Sequence, residues 1–155
     1  MTKKPKSPEF QLVLAGGLVA GVLSAASNDL YALVYRTATG FDFLHPSYGS
    51  ITVSSVAPSL LAAAGYYALT RFTRHAARLL ALVTALVTLF SFEGALHATL
   101  PDGSAKPPGF DALTLPMHVV VGAVAALFIP RFADEWARLR AWLAACRTPP
   151  AAQGG

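Results

Sequence analysis

Charged side chains are scarce in this sequence: 13% of its 155 residues are Asp, Glu, Lys or Arg, about half the roughly 25% of an ordinary soluble domain. With so many apolar residues, that scarcity excludes a disordered chain and a nucleic-acid module with a broad basic surface. Cysteine is represented by Cys146 alone, so neither an internal disulfide nor a thiol-pair redox centre can form. A G-x-S-x-G nucleophile signature is missing too, which leaves Ser/His/Asp catalysis without its motif. What is present is apolar: 54% of the residues are hydrophobic, and the mean hydropathy is +0.50. The length suits about one domain, and the composition suits a small integral membrane protein.

Four apolar runs, at about 10–35, 51–69, 79–97 and 110–129, are each long enough to cross a hydrocarbon core of about 30 Å at 1.5 Å per residue. Lipid offers backbone amides no partner, so such runs are expected to be helices. Between them, 36–50 carries Gly40, Pro46 and Gly49 with Phe41, Phe43 and Tyr48, a composition suited to an interfacial loop. The short basic stretch 71–78 (Arg71, Arg74, His75, Arg78) makes the second and third helices an antiparallel hairpin. Pro101, Asp102, Gly103, Pro107 and Pro108 mark 98–109 as a turn-rich external loop.

The net charge of +4 follows topology. Lys3, Lys4, Lys6, Arg71, Arg74, Arg78, Arg131, Arg138, Arg140 and Arg147 fall on one side of the membrane, and Arg36 and Lys106 on the other. Cytoplasmic loops carry the excess of Lys and Arg, so both termini are expected inside. Three lysines before an apolar run also suit a cleavable leader. The apolar pattern resumes at Leu30, Tyr31, Leu33 and Val34, however, and favours a retained first span. After Pro130, residues Phe132, Trp136, Leu139, Leu143 and Cys146 recur at intervals that gather them on one helical face. The expectation is a short amphipathic interfacial helix over 131–147, with an Asp134–Arg138 pair on another face, a basic tail over 1–9 and a disordered tail over 148–155.

Inside a bilayer an ionisable group costs on the order of 3 kcal/mol, so each one is a site hypothesis by default. Asp29, Glu93, His97 and His118 are such groups, with Asn28 beside the first. Counted by helical rise, Glu93 lies roughly 9 Å and His118 roughly 10 Å below the outer surface. Asp29 and His97 lie nearer the rim, and Ser54, Ser55, Pro58 and Ser59 of the second span lie within about 12 Å of it. All four spans thus place polar groups in the outer half, over an inner half rich in Leu, Val and Ala. The pattern predicts an outward-facing polar pocket built on Glu93 and His118, paired by a charge-assisted hydrogen bond, with Asn28, Asp29, His97 and Ser55 around it. Asp29 and Arg36 are placed to form a second pair at the rim. Glu93 and His97, one helical turn apart, with His118 and Asp29 form a mixed nitrogen and oxygen set of the kind zinc or iron takes, yet no established spacing motif supports a metal. No metal or other cofactor is expected.

Gly17 and Gly21 form a G-x-x-x-G on the first span, and Gly122 and Ala126 repeat a small-residue spacing on the fourth. Such rows permit close helix approach, read here as packing within the bundle. Pro58 and Pro116 remove backbone donors near the polar level, where they suit a kink.

The segment from Leu113 to Ala123 around Met117-His118, followed by Ile129-Pro130-Arg131, resembles the last helix of an uncharacterised bacterial family of short four-helix membrane proteins. Asn28-Asp29-Leu30-Tyr31 and Ser54-Ser55-Val56-Ala57-Pro58 are similar to its first and second helices, so the resemblance covers about residues 10–132. It implies four spans and a bacterial inner membrane, and no activity; Glu93 is not part of its pattern. The expected fold is an all-α four-helix transmembrane bundle with both ends cytoplasmic. The expected partners are the lipid bilayer and a small solute or proton, bound or translocated through the pocket, with a homodimer or larger membrane partner left open and no nucleic acid. A non-catalytic accessory subunit is the alternative, and a cofactor-bearing membrane enzyme ranks third.

Overall fold

A computed structural model describes residues 8–41, 46–97, 99–100 and 103–147. Of the expected tails, only positions 8 and 9 of the first are described, and 148–155 lies outside the described residues. The described residues form α1 (Phe10–Thr39), α2 (Tyr48–Phe72), α3 (Ala76–Leu96) and α4 (Phe110–Arg147). All four are long and apolar enough to span a membrane. Thr99 and Ala105 form an isolated antiparallel bridge between α3 and α4.

The helix ends follow from local chemistry. The hydroxyl of Ser47 accepts from the backbone N–H of Ser50 and caps α2, satisfying one of the donors every helix start leaves open. Gly40 closes α1 in the left-handed region at φ 70°, where glycine carries no Cβ penalty. Lys106 fastens the outer ends of α3 and α4. Its ammonium donates to the Ala95 carbonyl at 3.0 Å, one of the acceptors the end of α3 leaves over. It also pairs at 2.7 Å with Asp111, an acid in the first turn of α4, where the helix dipole favours one.

The helices form a closed ring in chain order, with α2 also touching α4 across the middle; among the described residues α1 and α3 make no contact. The tightest seam joins α1 to α2. A Cβ at Gly17 would come within 2.5 Å of Ala63 Cβ and 3.0 Å of the Ser59 carbonyl, and one at Gly21 within 2.8 Å of Val56 Cα. The G-x-x-x-G row is therefore spent inside the bundle. Gly122 of α4 does the same for α3, facing the Thr88 hydroxyl. The apolar core of Val13, Ala20, Ala63, Tyr66, Leu80, Ala125 and Ile129 fills one end of the bundle. Ala32, Ile51, Leu113 and Met117 fill the other.

One expected element takes a different form. Residues 131–147 are not a separate interfacial helix, because α4 runs unbroken through Pro130 to Arg147. At 1.5 Å per residue its 38 residues extend about 57 Å, nearly twice the hydrocarbon thickness. Proline inside a helix costs about 3 kcal/mol in water but is tolerated where neighbouring helices pack around it. Here Pro130, Ile129 and Ala133 are buried, and the Phe132 ring fits against Gly16 of α1, where a Cβ would come within 2.9 Å. Phe128, Phe132 and Trp136 stack one turn apart along this stretch. Beyond it, Arg140 pairs with Glu9 at the start of α1 at 2.6 Å. Arg138 pairs with Glu135 at 3.0 Å, three residues back, rather than with Asp134.

Candidate functional site

The polar residues of α1, α2 and α4 converge on one buried node. Asn28 is 2% exposed and Ser55 1%. The Asn28 amide donates to Ser55 Oγ at 3.2 Å and to the Met117 carbonyl at 3.3 Å, so one side chain ties three helices together. Its Oδ1 has no described partner. Ser59, fully buried, donates back to the Ser55 carbonyl at 2.8 Å. Interhelical bonds of this kind are worth about 0.6 kcal/mol each in a membrane, up to about 1.7.

This node forms one end of a cleft of about 800 Å³ bounded by α2, α3 and α4. Ser54, Ser55, Asn28, Thr114, His118 and Ser91 line the polar end. Away from it the walls are Leu61, Ala62, Gly65 and Leu69 of α2, Leu80, Val83 and Val87 of α3, and Val121 and Ala125 of α4, interrupted only by Thr84 and Thr88. Leu61 and Phe72 line it yet are 73% and 87% exposed, so the cleft opens sideways, toward the surroundings of the bundle. Among the described residues, no Asp, Glu, Lys or Arg lines it.

His118 is half-buried. Its Nδ1 lies 2.8 Å from the Thr114 carbonyl. A carbonyl only accepts, so Nδ1 carries the proton, and it is in the neutral form of the ring that Nε2 presents a lone pair. The Phe92 ring meets His118 edge-on, with centroids 6.4 Å apart.

The structure brings together Asn28, Ser55 and His118 and leaves out Glu93, Asp29 and His97. Glu93 is exposed and does not line the cleft. Phe92, one position earlier, is the residue that faces His118, and one residue along a helix is a turn of about 100°. The Glu93–His118 pair therefore does not form. His97 caps α3 in extended backbone and is exposed. Asp29 is half-buried and accepts a hydrogen bond from Thr52 at 3.3 Å, while Arg36 bonds the Pro46 carbonyl and lies over the Tyr48 ring. Asp29 and Glu93 cannot contribute to one metal set, because α1 and α3 occupy opposite corners of the ring.

Some contributors escaped the sequence. Thr114, Thr84 and Thr88 read as ordinary helix residues, yet all three line the cleft. Tyr31 of α1 donates to the Ala112 carbonyl at 2.7 Å. That carbonyl lies four residues before Pro116, which has no N–H to offer it. Pro116 was the signal: its missing donor called for a hydroxyl from a neighbouring helix. Tyr35 fixes the loop end below by donating to the Gly109 carbonyl at 2.9 Å.

Residues 8–135 match a family of unknown function, DUF6069. The chain belongs to that family. The match takes in α1, α2, α3 and α4 through the turn that holds Phe132 against Gly16, and ends before the last part of α4. No curated protein and no solved structure matches the chain. The four apolar helices make this DUF6069 chain a membrane protein.

Proposed function

We propose that this protein binds a small, largely apolar molecule that enters the α2–α3–α4 cleft sideways from the bilayer and lodges its polar group at the Asn28–His118 end. The observation that carries this is the cleft itself: about 800 Å³, within the roughly 300–1,000 Å³ of small-molecule sites, apolar with a few convergent polar groups. The solute-binding expectation is kept, with a changed entrance. The outward polar pocket becomes a lateral apolar cleft with a polar end. Proton passage loses its carrier with Glu93 outside the cleft. Ten basic residues on the side of the α2–α3 turn and the two termini support both ends lying in the cytoplasm, and with the family resemblance they support a bacterial inner membrane.

Gly65 supplies the test. It lines the cleft, and a Cβ there meets nothing within 4 Å. Gly94 is equally open but does not line the cleft. In vesicles, a hexadecane probe carrying a diazirine in its chain should label Ala62, Val83 and Val121. Gly65→Phe should abolish that labelling and Gly94→Phe should leave it. Equal labelling in both variants would remove the cleft as a binding site.

An accessory role draws support from α3, where only Ala76, Leu80 and Ala95 are buried. Lipid covers such a face as readily as a partner does, so the cleft carries the stronger case.

A further inference from the structure

The polar end of the cleft offers more acceptors than donors. Ser54 Oγ donates to the Ile51 carbonyl at 3.1 Å, Thr114 Oγ1 to the Phe110 carbonyl at 2.9 Å, and Ser91 Oγ to the Thr88 carbonyl at 2.7 Å. Each hydroxyl has one hydrogen, and in each case it is turned back into its own helix. His118 spends its Nδ1 proton in the same way on the Thr114 carbonyl. Asn28 commits its amide nitrogen to Ser55 and Met117. Ser55 keeps its hydroxyl hydrogen, for which no acceptor is described; otherwise what these residues still offer is lone pairs: those of the hydroxyls, Nε2 of His118 with the ring neutral, and Oδ1 of Asn28. The last belongs to a side chain 2% exposed and has no described partner. A buried acceptor left unsatisfied is costly, and no described group donates to it.

Resting on the cleft as a binding site, we infer that its ligand is a neutral single-tailed amphiphile whose head donates a hydrogen bond: a long-chain alcohol or another hydroxyl-headed lipid. Three observations select this class. The head meets the unpartnered Oδ1 of Asn28, so it must bring a donor, and an O–H can in turn accept from Ser55. No described charged side chain lines the cleft, so a carboxylate finds no cation and an ammonium finds no carboxylate to offset its desolvation. The cleft follows α2 from Ser54 to Phe72, about 27 Å at 1.5 Å per residue, which takes an extended tail lying along the bilayer normal. Entry through the open side between Leu61 and Phe72 lets the tail slide in from neighbouring lipid without leaving the hydrocarbon.

The test is a competition series on the full chain in vesicles. Labelling by the headless diazirine hexadecane is measured against hexadecanol, hexadecyl methyl ether, palmitate and hexadecylammonium. Hexadecanol should compete about fivefold to tenfold better than its methyl ether, the value of one hydrogen bond, and better than both ions. His118→Leu, which gives up a described hydrogen bond only within its own helix, should narrow the alcohol-to-ether ratio. Equal competition by alcohol and ether, or a preference for either ion, would overturn the head assignment and leave the cleft standing. Failure of the headless probe to label the cleft would instead bring down the binding site itself. The wild-type series decides the matter even if His118→Leu does not fold.

Discussion

α2 has two sides, and they are built on opposite terms. Toward α1 it presents Ser59 and Ala63, both fully buried, and α1 answers with Gly17 and Gly21, whose missing side chains let the backbones meet. Toward α3 it presents Ala62 and Gly65, equally small, and nothing answers: the space by Gly65 is open. Small residues thus close one seam and hold the other apart. The difference lies in what faces them. In lipid no hydrophobic effect pulls two apolar helices together, so a seam closes only where shapes interlock or polar groups bond across it. The α1–α2 seam has both, through the glycines and the Asn28–Ser55 bond. The α2–α3 seam has no described side-chain hydrogen bond across it, and α3 leans instead on Gly122 of α4 through Thr88.

The largest effect that would sharpen this contrast comes from adding the same side chain to both seams. Gly21→Leu drives a Cβ to 2.8 Å of Val56 Cα, and overpacking of this kind costs roughly 1–3 kcal/mol. Gly65→Leu should stay within about 0.5 kcal/mol of wild type, as a substitution clear of packed atoms does. Thermal midpoints in detergent read both, and equal losses at the two glycines would break the contrast. Next comes Asn28→Leu, which removes both bonds that join α1 to α2 and α4. We expect a loss of roughly 1–2 kcal/mol in the same assay, with Ser55→Ala costing less because it removes one of them. A loss at Ser55 exceeding that at Asn28 would contradict the shared node.

A smaller effect concerns the α1–α4 seam. Tyr31→Phe should cost about 1 kcal/mol, the net worth of a hydrogen bond to an otherwise unpaired carbonyl. Pro116→Ala restores the backbone donor to the Ala112 carbonyl, so the cost of Tyr31→Phe should shrink in that background. Additive losses in the double-mutant cycle would show that the hydroxyl does not serve the proline gap.

The smallest effect lies outside the membrane. Arg140 hydrogen-bonds Glu9 and its charge sits beside it, which holds the carboxyl below its ordinary value of 4.5. A carboxylate lowered on folding stabilises the protein above its unfolded pKa and loses that contribution as the pH falls through the folded value. The exposed pair therefore helps slightly above about pH 4.5 and stops helping in stronger acid. A wild-type melting advantage over Arg140→Gln, present at neutral pH and gone at strongly acidic pH, checks the sign.

The four apolar helices and the small-residue row of α1 were legible in the sequence, because each depends on distance along a helix. Glu93 shows what was not. Its depth follows from rise alone, but its direction depends on which face of α3 packs. In a soluble helix the apolar stripe fixes that face. In lipid all faces of α3 are apolar: Leu82, Leu86, Leu89 and Phe90 are exposed, and the pattern carries no phase. A single residue's rotation puts Phe92 beside His118 instead. Asn28, seven residues beyond Gly21 on α1, shares the face that the glycine row turns toward α2, a phase that α3 lacks. The run through Pro130 was hidden for a different reason: the contact that offsets its missing hydrogen bond, Phe132 on Gly16, joins residues more than a hundred positions apart.

The most direct measurement is footprinting of the unmodified protein in lipid vesicles with a small bilayer-soluble carbene reagent, read residue by residue. An open cleft predicts labels on Ala62 and on Val121, on the floor formed by α4, with neighbouring Ala63 and the glycine row of α1 protected. Protection of Val121 together with Ala62 would mean that α2 and α3 close on each other in the membrane, and the account would fail there.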